Sequence, residues 1–98
     1  MSKIRPCTDY KKELLKDLKK PEYVAEYLNA AIEDGSREVF LLALRDVCES
    51  QGMAKTARKT KLNREHLYRI LSSKGNPQLV TLNTILESFN LRFRIEAI

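Results

Sequence analysis

The side chains with most chemistry to offer lie in one stretch, Met53 to Lys74, which reads MAKTARKTKLNREHLYRILSSK. It sets Lys55, Arg58, Lys59, Lys61, Arg64, Arg69 and Lys74 against one acid, Glu65, a formal +6 in a chain whose total is +5. Cations packed this densely on short helices are what a run of phosphates attracts. The flat guanidinium fork also matches the O6 and N7 acceptors of guanine in the major groove. Duplex DNA is the ligand this pattern implies. Other chemistries lack their parts. The only histidine, His66, has no second ligand near it in sequence, and there is neither a Gly-rich phosphate loop nor a nucleophile–base pair. No enzymatic activity, metal or cofactor is therefore expected. His66 reads as structural or as a phosphate contact.

The stretch reads as two short helices joined by a tight turn. With the second in the major groove, its first residues face base edges. Leu67, Ile70 and Leu71 supply an inward side, which leaves Arg64, Glu65, Tyr68, Arg69 and Ser72 outward. Arg64 suits guanine, and Glu65 suits a cytosine amino group or orients Arg64. Tyr68 completes the base-facing set, and Arg69 reaches a base or a phosphate. Asn63 is a helix cap first and a DNA contact second. Lys55 and Lys59 from the first helix hold phosphates, with Ser73, Lys74 and Asn76 from the following loop. Neutralising about six phosphates makes affinity fall steeply with salt. One helix pair buries little surface, so a dimer on a two-fold site is expected.

Ninety-eight residues, 43% apolar and 32% charged, make one folded domain with a single core. No apolar run is long enough for a membrane span and MSKIRPCTDY lacks a signal-peptide core, so the expected location is the cytoplasm. Two cysteines, Cys7 and Cys48, make no disulfide framework. Cys48 reads as a small core residue and Cys7 as an exposed thiol.

The fold expected is mainly all-α, a domain of five to six helices. A first helix runs from Thr8 or Asp9 to about Lys19, with Leu14, Leu15 and Leu18 on one face. Pro21 opens a second, with Glu22 complementing its dipole, and Gly35 stops it. Ser36 caps a third, Arg37 to about Ser50, apolar enough to be central and packed on two sides. Gly52 breaks it. Met53–Thr60, a turn at Lys61–Leu62 and Asn63–Ser72 follow, then the loop SKGNP and a helix with Leu79, Leu82, Ile85, Leu86 and Phe89 on one stripe. Tyr23, Tyr27 and Phe40 read as core. Residues 1–35 form a helical extension, 36–90 the helical core and 91–98 a closing strand.

That strand comes from the period-two alternation of Leu91-Arg-Phe-Arg-Ile-Glu-Ala. A lone strand cannot satisfy its backbone. It must pair with the N-terminal KIR segment, with its own copy or with another protein's sheet edge, and the two-fold homodimer is preferred.

At Ala57, Leu62, Leu67 and Ile70 the spacing resembles the helix-turn-helix of the Xre family of phage repressors and Cro proteins. Asn76-Pro77 followed by Leu79 to Leu82 resembles the start of that family's fourth helix. The resemblance covers about residues 37–90 and implies a lambda-repressor-like fold. Lys61 stands where the family usually has glycine and must accept a strained φ; Met53 stands where many members have a phosphate-contacting glutamine. A narrower resemblance spans PEYVAEYLNAAIEDG, LYRILSSKGNPQLVTLNTIL and the closing strand, and is to addiction-module antidotes. It implies an antitoxin that silences a RelE/HigB-like toxin and represses its own operon. The alternatives are a stand-alone phage- or mobile-element-type regulator, and a helical protein–protein adaptor without DNA binding.

Overall fold

The computed structural model describes residues 20–98, and the helix expected before Lys20 lies outside them. Among the described residues there are five helices and no strand: α1 (Pro21–Asp34), α2 (Arg37–Gln51), α3 (Met53–Thr60), α4 (Arg64–Ile70) and α5 (Leu79–Glu87). Their ends follow local chemistry. Pro21 opens α1, and Gly35, at φ 84, closes it by donating its N–H to the Ile32 carbonyl. The Ser36 hydroxyl then accepts from the Val39 N–H at 3.3 Å and starts α2. Gly52, at φ 97, separates α2 from α3.

Helix α2 is central. Leu41, Leu44, Val47 and Cys48 are sealed from solvent. Val24, Leu28 and Ala31 of α1 join the core from one side, while Met53, Leu67, Leu71, Ile85 and Leu86 complete it from α3, α4 and α5. The Tyr27 hydroxyl, half-buried, donates to Asp46 Oδ2 at 2.8 Å and links α1 to α2. Burial, with the charge of Glu49 adding, pushes the Cys48 thiol up to about 12, so it stays a protonated packing group. None of the described helices is long and apolar enough to cross a membrane.

Three expectations need correction. Residues 91–98 form no strand in the single chain. Their alternation is suited to a ladder, but no described segment offers an edge to pair with. Leu79 is 69% exposed, because the stripe of α5 reaches the core only from its later turns. Tyr23 is also out in solvent, with the Lys20 ammonium 5.5 Å from its ring centre, whereas Tyr27 and Phe40 pack on the core.

Thr56 is buried in the core, and among the described residues its hydroxyl has no hydrogen-bond partner. An unmade bond costs about 1–3 kcal/mol, and valine has nearly the same shape. Thr56→Val should raise stability by about 1 kcal/mol, seen as a melting temperature about 4–8 °C higher. A lower one would mean that the hydroxyl is paired in solution.

Candidate nucleic-acid interface

The geometry of the basic stretch begins with a chain reversal. At the end of α3, Lys61 takes φ 62 and ψ 27, the left-handed conformation expected for it. Its N–H and that of Leu62 both point to the Ala57 carbonyl, the latter at 3.1 Å. A residue with a Cβ pays about 1 kcal/mol for this conformation. In return the reversal is tight, and Leu62 packs against the core beside Ala57.

Asn63 then returns to extended backbone (φ −84, ψ 160) and its Oδ1 accepts from the His66 N–H at 2.6 Å. That side chain therefore caps α4, as expected. Leu67 and Leu71, one turn apart and fully buried, root the helix in the core. The arrangement leaves Arg64, Glu65 and Arg69 exposed. Arg69 Nη2 lies 2.7 Å from His66 Nδ1. A guanidinium can only donate, so the imidazole accepts at Nδ1 and carries its proton on Nε2.

Tyr68 does not join the outward group. It is half-buried against α2, with its hydroxyl 3.4 Å from Glu49 Oε2 and the Arg45 guanidinium 5.1 Å from its ring centre. Only one side of α4 lies on the core, and the position after Leu67 turns toward the neighbouring helix instead of away from it. Ile70, one of the three expected inward positions, is half-buried and packs on the core's edge.

The expected phosphate contacts divide between exposed groups and groups already engaged within the fold. Lys55, Ser73 and Lys74 are exposed. Lys59 is exposed too, but its ammonium lies 3.4 Å from the Ser88 carbonyl, just past the end of α5, where a cation is favoured by the dipole. Asn76 accepts at Oδ1 from Arg37 Nη1 at 3.2 Å. Arg37 was not among the expected site residues. It lies 39 positions from Asn76, and only the fold brings them together.

Arg37 and Arg64 share an oddity: each opens a helix, where the positive end of the dipole disfavours a cation by some tenths of a kcal/mol. Helix stability does not account for either. Both guanidinium groups are exposed at helix starts, and that of Arg37 is held to the loop at Asn76. Among the described residues no cluster of histidine, cysteine and carboxylate groups could hold a metal ion.

Comparison with known proteins gives two matches. A family model described as probable addiction module antidote protein matches residues 10–97. An uncharacterised protein of Haemophilus influenzae is 31% identical over 84 residues, which cover 86% of this chain and 87% of that protein. No solved structure matches.

The loop bearing Ser73, Lys74 and Asn76 is set by a close approach at Gly75. A Cβ there would sit 2.0 Å from the Ile70 carbonyl oxygen, which is backbone and cannot swing aside. Gly75→Ala should destabilise the fold by about 2–3 kcal/mol, lowering the melting temperature by roughly 10 °C or more. A near-normal melting temperature would show that the loop can shift without cost.

Proposed function

Since the chain belongs to the addiction-module antidote family, we propose that it is a DNA-binding antitoxin, which silences a RelE/HigB-like toxin and represses its own operon from a helix-turn-helix formed by α3 and α4. The observation that carries the DNA-binding part is the division of α4. Leu67 and Leu71 are fixed in the core while Arg64, Glu65 and Arg69 stand exposed on a rooted helix with a capped start.

In this reading Arg64 meets guanine and Glu65 either accepts from cytosine or aligns Arg64. Arg69 reaches a base or a phosphate, with His66 steadying its guanidinium. Tyr68 braces α4 against α2 instead of reading a base. Lys55, Ser73, Lys74, Asn76 and Arg37 hold phosphates, joined by Lys59 when it leaves the end of α5. Asn63 serves mainly as the cap. The protein acts in the cytoplasm as a homodimer on a two-fold operator, since one such helix pair contacts too few base pairs to bind tightly alone. Toxin binding falls to surfaces the basic pair does not use, such as α1, whose exposed charges Glu22, Glu26, Glu33 and Asp34 are all acidic.

Two experiments test the two parts. In gel shifts on the region upstream of its own gene, Arg64→Ala with Arg69→Ala should weaken specific binding about 30-fold or more. Lys55→Ala should instead weaken binding to every sequence alike and lower the salt slope by about one. Unchanged operator affinity in the double variant would overturn the site assignment.

For the toxin, the product of the adjacent gene should arrest growth alone and be rescued by this protein through a stable complex. A harmless neighbour, with operator binding intact, would leave a stand-alone regulator.

A further inference from the structure

Arg69 sits in the second turn of α4, five positions beyond Arg64. On an α-helix that places it about 7.5 Å further along the axis and about 140° round from Arg64. The two side chains therefore leave the helix toward different points. Arg69 has two candidate partners on its own helix. Glu65, at i−4, is an acid in the order that favours an ion pair. His66, at i−3, offers a neutral acceptor. The guanidinium takes the second, with Nη2 2.7 Å from Nδ1, and among the described residues no ion pair joins it to Glu65.

That choice of partner matters chemically. A carboxylate would cancel the positive charge, whereas a neutral imidazole holds the group and leaves its charge intact. A guanidinium has five N–H donors arranged on two forked edges. One donor of Nη2 goes to His66, so one fork stays whole. His66 is itself fixed, since it is half-buried and its backbone N–H is bonded to the Asn63 cap. Arg69 is thus placed by a relay of contacts, Asn63 to His66 to Arg69, before any ligand arrives. Lys55 and Lys74, by contrast, are exposed and have no side-chain partner among the described residues. Phosphate oxygens recur all along a duplex and accept from mobile cations. A base edge presents its acceptors at fixed points and rewards a fork fixed in advance.

We propose that Arg69 is a base reader aimed by His66. The imidazole positions the guanidinium without neutralising it, and the intact fork meets O6 and N7 of a guanine in a base pair other than the one Arg64 meets. A base, not a phosphate, is then the main target of Arg69. His66 acts through Arg69, as a positioning residue. This deepens the operator-binding reading above and rests on it.

The test measures binding of the full chain to operators that each carry one changed base pair, beside random-sequence DNA. Arg69→Ala should relax the preference for guanine at one base pair by about fivefold or more and leave the other positions unchanged. The variants His66→Leu and His66→Asn differ little in shape, but only asparagine brings an acceptor, Oδ1, as many bonds from Cβ as Nδ1 is. His66→Leu should relax the same base pair about threefold or more, with affinity for random DNA unchanged. His66→Asn should restore the preference. Added to Arg69→Ala, His66→Leu should change nothing further. Melting temperatures establish that each variant is folded.

Full discrimination in His66→Leu, or a loss that His66→Asn does not restore, would overturn the proposal. So would an Arg69→Ala protein that weakens on every sequence alike with its salt slope lowered by about one, the behaviour of a phosphate contact. In these cases Arg64→Ala still relaxes its own base pair, and the operator-binding reading stands. A native protein without any sequence preference would overturn both.

Discussion

The attachment of α4 through Leu67 and Leu71 is the contact on which the rest depends. These two side chains are fully buried among residues from the other helices, and α4 has only seven residues of its own. So short a helix has little intrinsic stability, and its direction comes from what it packs on. Arg64, Glu65 and Arg69 are positioned by those two leucines and by the Asn63 cap. The strained Lys61 belongs to the same arrangement. Its left-handed turn is what lets α4 start immediately after α3 and still bring Leu62 onto the core. About 1 kcal/mol of backbone strain is small beside the burial of Leu67 and Leu71, each contributing about 1.5–3 kcal/mol when fully sequestered.

The helices were legible in the sequence because their boundaries are written in local chemistry. Pro21, Gly35, Ser36, Gly52 and Asn63 each act within four residues of themselves, and each is found at a helix end. The exposure of Arg64, Glu65 and Arg69 was legible for a similar reason, since Leu67 and Leu71 mark the buried side of the same helix. What escaped depended on neighbours distant in sequence. Tyr68 was placed outward by periodicity, but α2 lies close enough to take it, with Arg45 and Glu49 supplying the contacts. Arg37 gave no local signal, because its partner Asn76 arrives only through the fold. Leu79 continues the stripe of α5 in sequence and yet extends past the core it was meant to cover. The alternation of residues 91–97 suggested a strand that does not form, because no described segment offers an edge for it to pair with.

Among the described residues, positive charge is concentrated between Met53 and Lys74. The formal +5 of the chain is smaller than the +6 of residues 53–74 alone, so the remainder is slightly acidic. The exposed acids of α1 lie outside the basic pair. A cationic patch set apart from an acidic helix favours some orientations of encounter with a polyanion over others.

The first turn of α2 joins the basic loop to the groove beside Phe93. Arg37 faces the loop at Asn76, and Phe40, three residues on, forms part of the groove beside Phe93. Residues three apart lie on neighbouring positions of one helical turn, and this turn is fixed at its start by the Ser36 cap. The Glu38 carboxyl strengthens that start. Its own backbone N–H and then the Ser36 hydroxyl hold it below the usual carboxylate range. The turn that carries Phe40 into the groove wall is therefore the same one that holds Arg37 to the loop at Asn76.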